Sequence, residues 1–301
     1  MKKNTFGLEI PSRQEVLTNK HCQRYIAYAL DNYLEALGVS GKKRPGIIEQ
    51  ILKTGKTISD DYIFEETINQ LLSGIVLYQK MEQSLEERAK RISDQISPYL
   101  KSGASLDYGC GDGKVGRLIK EKHNFSVTLT DIFKHPSIDN YINLPFVFLG
   151  EHTKPSLPDD FFTNVILCTV LHHSDEPLTT LSNSIRITCH GGIIVFIESV
   201  YGVTHELAAE SPSDPRTDAF LALSSKNQLA VNVFFDHFYN RCIHFSTDPA
   251  RKVNVPFNYL TAEEWNRFFE KHGLSVSTVV PLGIDQPLAP LFHTLHVTVK
   301  P

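Results

Sequence analysis

The stretch LDYGCGDGKVGRLI, residues 106–119, carries the densest chemical signal in the sequence. From Gly109 it alternates glycines: Gly109, Gly111, Gly113. From Gly111 it reads G-x-G-x-x-G, the spacing that sets a dinucleotide against a helix N-terminus. Glycines so placed permit positive φ and let a ligand approach the backbone closely. Two carboxylates frame the turn. Asp107 precedes the first glycine by two residues, a poor neighbour for a pyrophosphate but a good one for a ligand with positive charge. Asp131 closes SVTLTD about 20 residues on, where a carboxylate accepts both hydroxyls of a ribose.

A second group of chemically capable residues lies in SKNQLAVNVFFDHFYNRCIHF, residues 225–245. Asn232, Asp236, Asn240 and His244 recur every four residues and form one narrow polar ridge on a helix. Apolar ridges flank it, one with Val231, Phe235 and Tyr239, the other with Phe234, Phe238 and Cys242. Solvated faces are rich in Lys and Glu, and this ridge has neither. Buried polar groups need partners, so the ridge faces a ligand, an internal hydrogen-bond network or, less in keeping with its composition, solvent. Asp236 and His244 are spaced to orient an acceptor at one end and grip a distal polar group at the other. His237 and Arg241 form a shorter pair beside it, with Arg241 expected to anchor a carboxylate or a loop. Asp236, His237, His244, His293 and His296 are ligand types for a metal, but no fixed spacing joins them and no metal is expected.

The elements that must position these groups are legible from periodicity. Residues 12–100 read as helices, with apolar positions recurring at three and four: runs over 13–37, 45–55 and 63–100. KSGAS at 101–105 punctuates the change to alternating strands and helices. Continuous apolar runs such as IIVFI imply a strand buried on both faces, hence a parallel sheet. The helix before it is expected over EPLTTLSNSIRITCH, residues 176–190. The last two strands follow each other without a crossover helix and must pair antiparallel or lie apart. Residues 201–258 are far too long for a simple connection and form an insertion. The chain is thus expected to comprise a helical lid, 1–95, and an α/β domain, 96–301.

Composition narrows the partners. A formal net charge of -4 offers no footprint for nucleic acid or a membrane surface. Five scattered cysteines without a C-x-x-C pair suit a reducing, cytoplasmic setting. No apolar run is long enough to span a bilayer. The oligomeric state stays open, a homodimer included.

Together the motifs resemble the class I S-adenosylmethionine-dependent methyltransferases. LDYGCGDG is similar to their first motif, Asp131 to their ribose-binding acid, LPDDFFTNVILCTVLHHSDEP to their fourth-strand region and ITCHGGIIVFIES to their fifth strand. The resemblance implies a Rossmann-like, doubly wound, seven-stranded sheet with a terminal antiparallel strand, a helical N-terminal extension and a helical insertion after strand five. It implies S-adenosyl-L-methionine as cofactor, held by Asp107, Gly109, Cys110, Gly111, Gly113, Asp131, Ile132 and Cys168. Adenine contact falls to Glu151 or His152, where the family often has Gly-Asp, and Tyr78 or Arg91 reaches the methionine carboxylate. The acceptor then sits above the ends of strands four and five, beside His172, His173 and Glu198. These three, with Asp236 and His244, are the catalytic candidates, and Asn232, Tyr239, Asn240 and Arg241 the substrate-binding ones. The expected activity is methyl transfer to O, N or C of a small molecule. The alternatives are an RNA- or protein-directed methyltransferase and a non-catalytic cofactor-binding domain.

Overall fold

The computed structural model describes residues 2–75, 78–149, 157–243, 253–284, 288 and 290–301, without the side chains of Lys2 and Tyr78. A small ribbon, β1 (Lys2–Lys3) and β2 (Glu9–Ile10), precedes helices that their own capping residues delimit. Ser12 and Glu15 close a capping box on α1 (Arg13–Thr18). Asn19 then accepts from the amides of His21 and Cys22 and starts α2 (Lys20–Ala36), so the helix expected over 13–37 is two. After α3 (Arg44–Thr57), Asp60 caps α4 (Asp61–Ser73). Gly74 ends α4 and a separate α5 (Tyr78–Ile96) follows, so the second long run is also divided.

The alternating half forms β3 (Ser105–Tyr108), α6 (Lys114–His123), β4 (Val127–Asp131), β5 (Phe146–Phe148), β6 (Phe162–Cys168), α7 (Pro177–Ile187) and β7 (Thr188–Ser199). The helix expected to reach residue 190 stops at Ile187, and Thr188, whose hydroxyl donates back to the Ser184 carbonyl, already belongs to β7. The insertion holds α8 (His205–Ala208), α9 (Pro215–Leu221) and α10 (Ser225–His237). Its last helix passes into a π-helical turn, Phe238–Ile243, a rare form common near functional sites. The chain closes with α11 (Ala262–Lys271), β8 (Ser275–Gly283) and β9 (His293–Val299).

Seven strands form one mixed sheet in the order β5-β4-β3-β6-β7-β9-β8. β3 pairs in parallel with β4 and with β6, and β6 with β7. The chain therefore reverses direction across the sheet at β3, the switch point where α/β sheets bind ligands. The final strand is antiparallel: the Lys300 amide meets Gly192, while Phe292 meets Val200.

By contacts the described chain separates into two compact units. One, helical, holds residues 1–85, 199–261 and 281–293; the other, containing most of the sheet, holds 86–198, 262–280 and 294–301. The division differs from a single cut near residue 95, because the insertion shares a core with the N-terminal helices. Tyr25 packs edge-on to Phe235 and Phe220, and Tyr33 to Phe238. In the sheet unit Phe196 stacks on Phe269 at 4.2 Å. Among the described residues no helix is long and apolar enough to cross a membrane.

Candidate active site

The glycine turn joins β3 to α6. Gly109, Gly111 and Gly113 all have positive φ, at 73°, 52° and 76°. A side chain at Gly109 would stand 2.6 Å from Val170, so this glycine lets the turn close against the loop after β6. At Gly111 the situation is the reverse: nothing lies within 4 Å of where a Cβ would be. The backbone there borders open space, which a ligand can fill and a side chain would obstruct.

Asp131, at the end of β4, faces this turn. Its Oδ2 accepts from the Gly111 amide at 2.8 Å and its Oδ1 from the Ile132 amide at 2.7 Å. Burial raises its pKa, against the downward pull of these amides. Ile132 beside it is 60% exposed, an apolar side chain offered to solvent. Ribose hydroxyls can reach the remaining lone pairs of Asp131, and Ile132 supplies an apolar face for a purine; the site thus fits S-adenosylmethionine.

Asp107 plays a more internal part than its spacing suggests. It is 2% exposed, and its Oδ2 accepts from the Gly116 amide at 2.8 Å, so this oxygen fixes the start of α6 rather than facing a ligand. Burial pushes its pKa up to about 7, opposed by the Gly116 amide and aided by Asp131 and Asp112. Cys110 and Cys168 have their thiols pushed far up by burial, which excludes both as nucleophiles. The charges acting on Cys168 place it among Asp107, Arg88 and Glu198.

The loop after β6 carries His172 and His173. Its backbone is constrained: Thr169 has φ 58°, an unusual conformation for a β-branched residue. Glu198, fully buried near the end of β7, organises this loop. Its Oε1 accepts from the Leu171 amide at 2.9 Å, and its Oε2 meets the amide and the Nδ1 of His172 at 3.3 Å and 2.5 Å. A carboxylate accepting these bonds sets the proton on Nδ1 and leaves Nε2 as the basic nitrogen. The His173 ring lies 4.1 Å from that of His172. This carboxylate-oriented imidazole can remove a proton from an acceptor.

In the helical unit the ridge of α10 is buried. Asn232 donates to the Val200 carbonyl at 2.9 Å, while its Oδ1 has no hydrogen-bond partner among the described residues. Asp236 accepts from Asn240 at 2.7 Å, and Tyr239 is half-buried. Arg241 does find a carboxylate, but it is the chain's own: Glu65 accepts from Arg241 Nε at 3.1 Å and lies 3.0 Å from His237 Nε2. Neither is therefore free to serve a ligand through those nitrogens. His296 is no metal ligand either: Asn266 and Thr294 engage both ring nitrogens, and burial lowers its pKa to about 3. Glu151, His152, His244 and the Tyr78 side chain lie outside the described residues. Arg91 is half-buried with an unpartnered Nε, and so is Arg88, which spacing alone did not single out.

A ligand space over a glycine turn, a carboxylate at the end of the next strand and a buried histidine–glutamate pair across the switch point define a class I α/β methyltransferase. Residues 81–279 match the methyltransferase-domain family; the chain belongs to it and is an S-adenosylmethionine-dependent methyltransferase. No curated protein matches it in sequence. Among solved structures it resembles a chain of the complex between the Haloferax volcanii Trm112 methyltransferase activator and a methyltransferase. That chain is 14% identical, with 73% of this chain and 94% of the other covered and a TM-score of 0.50. A Burkholderia thailandensis 1,6-didemethyltoxoflavin-N1-methyltransferase is also 14% identical, covering 81% and 91% at a TM-score of 0.47. A SAM-dependent methyltransferase from Aquifex aeolicus, again 14% identical, covers 72% and 98% at 0.42. At these identities the likeness is one of fold.

Proposed function

We propose that the acceptor is a small molecule with an ionisable O–H, N–H or activated C–H, and that His172 deprotonates it. The observation that carries this reading is the buried Glu198–His172 pair. S-adenosylmethionine supplies an electrophilic methyl group. His172 Nε2 takes the acceptor proton as the nucleophile forms, and Glu198 stabilises the resulting imidazolium through Nδ1–H. Burial of both groups excludes water from the proton transfer.

Asp131, Gly111 and Ile132 hold the adenosyl group, with Cys110 beside them and Glu151 or His152 at the adenine. The helical unit contributes to acceptor recognition through Asn232, Asp236, Tyr239, Asn240 and His244; Arg241 is held by Glu65 and is left out. A net charge of -4 supports a small acceptor over RNA. The test is transfer of label from S-[methyl-³H]adenosylmethionine into a cell extract separated into small-molecule, RNA and protein fractions. Label in the small-molecule fraction is expected. Label confined to RNA or protein contradicts the reading.

A further inference from the structure

The cofactor carries an α-carboxylate on its methionine moiety, yet the residues around the site are themselves acidic: Asp107, Asp131 and Glu198. Such a tail is retained only where a cation meets it. Most arginines of the sheet unit are already paired. Arg117 holds Glu86 and Glu121, Arg186 holds Asp159, and Arg267 holds Glu263. Lys114 beside the glycine turn pairs with Asp112. Arg88 and Arg91 on α5 are different: neither has an ion pair among the described residues, and the Nε of each is buried without a hydrogen bond. Removing part of a guanidinium from water without an anion is unfavourable, so a partner is expected.

Neighbouring contacts fix the level at which each arginine lies. α5 runs alongside α6 in the same direction, through Glu86 to Arg117 at 2.6 Å, Asp94 to Lys122 at 2.8 Å and Ser97 to His123 at 2.8 Å. α6 starts at the glycine turn, so the Glu86 end of this stretch of α5 lies at the carboxyl edge of the sheet and the Ser97 end at the opposite edge. Arg88 is close to Glu86. Arg91 is about 4.5 Å further from the ligand edge, at 1.5 Å per residue. The ribose binds at β4, on one side of β3. A tail extending across the glycine turn reaches β6 on the other side, at Cys168, whose thiol feels the Arg88 charge and not that of Arg91.

We propose that Arg88 is the residue that binds the methionine carboxylate of the cofactor. The proposal rests on the cofactor assignment, and its test keeps the two apart. S-adenosylhomocysteine and its decarboxylated analogue, 5′-S-(3-aminopropyl)-5′-thioadenosine, are titrated calorimetrically into wild-type protein and into Arg88→Gln, Arg88→Lys, Arg91→Gln and Lys90→Gln. Wild type is expected to prefer S-adenosylhomocysteine by at least tenfold. Arg88→Gln should lose that preference while binding the analogue within threefold of wild type, which also shows that the variant is folded. Arg88→Lys should retain part of the preference, and the exposed Lys90→Gln all of it. The proposal is overturned if Arg88→Gln keeps the wild-type preference, or if Arg91→Gln is the variant that loses it. Failure of wild type to bind either compound would instead overturn the cofactor assignment, and the proposal with it.

Discussion

Asp131 and Asp236 are two carboxylates held in different ways. Asp131 accepts from backbone amides of its own loop and of the glycine turn. Asp236 accepts from the side chain of Asn240, one helical turn away. A group fixed by backbone depends on φ and ψ, which a few glycines and a strand end determine. A group fixed by another side chain depends on a partner that substitution can change. The first arrangement suits a ligand whose shape never varies, the adenosyl cofactor. The second suits an acceptor site that must be adaptable. The His172–Glu198 pair combines the two, since Glu198 binds both the loop backbone and the imidazole.

The most severe way to break the backbone-held half is Gly111→Val. The side chain would enter the space the ligand needs, in a conformation that β-branched residues avoid. Loss of detectable S-adenosylhomocysteine binding is expected by calorimetry. Near-native affinity would show that the ligand lies elsewhere.

Glu198→Gln probes the combined case. The amide can still accept from a backbone N–H but no longer offers a charge to an imidazolium. Turnover should fall roughly a hundredfold or more while cofactor affinity stays near native. His172→Ala should fall similarly, and the double variant no further, because the two act as a unit. Equal losses in cofactor affinity would make the pair structural.

The smallest effect concerns Asp107. Its folded pKa, about 7, lies above the ordinary 3.8. The folded state therefore holds a proton that the unfolded state releases. The stability gained is fully present below about pH 4 and is lost as pH rises through about 7, at no more than ~1.4 kcal/mol per unit. Urea unfolding midpoints should decline from pH 5 to pH 8 more in wild type than in Asp107→Asn. An identical decline in both would assign it to other groups.

The cofactor half was the readable half for the same physical reason. Strand, glycine spacing and Asp131 are local in sequence, so the turn and the switch point follow from them. The helical breaks at Asn19 and Gly74 are local too, but periodicity overrode their capping signal. What remained hidden involves distant partners. His172 and Glu198 were both candidates, yet nothing in their spacing shows that they bond. Glu65 captures His237 and Arg241 across more than 170 residues, so Arg241 read as available to a substrate. Arg88 and Arg91 lie on one helix, and only the contacts between α5 and α6 show which is nearer the ligand edge. The positive φ of Thr169 has no sequence signature at all.

The most direct test compares the two aspartates in one assay. S-adenosylhomocysteine is titrated calorimetrically into wild type, Asp131→Ala and Asp236→Ala. Wild type should bind one equivalent. Asp131→Ala should lose roughly 2–4 kcal/mol of affinity with its charge-assisted hydrogen bonds. Asp236→Ala should stay within about threefold of wild type, roughly 0.7 kcal/mol. Absence of binding by wild type, or equal losses in the two variants, would contradict the account.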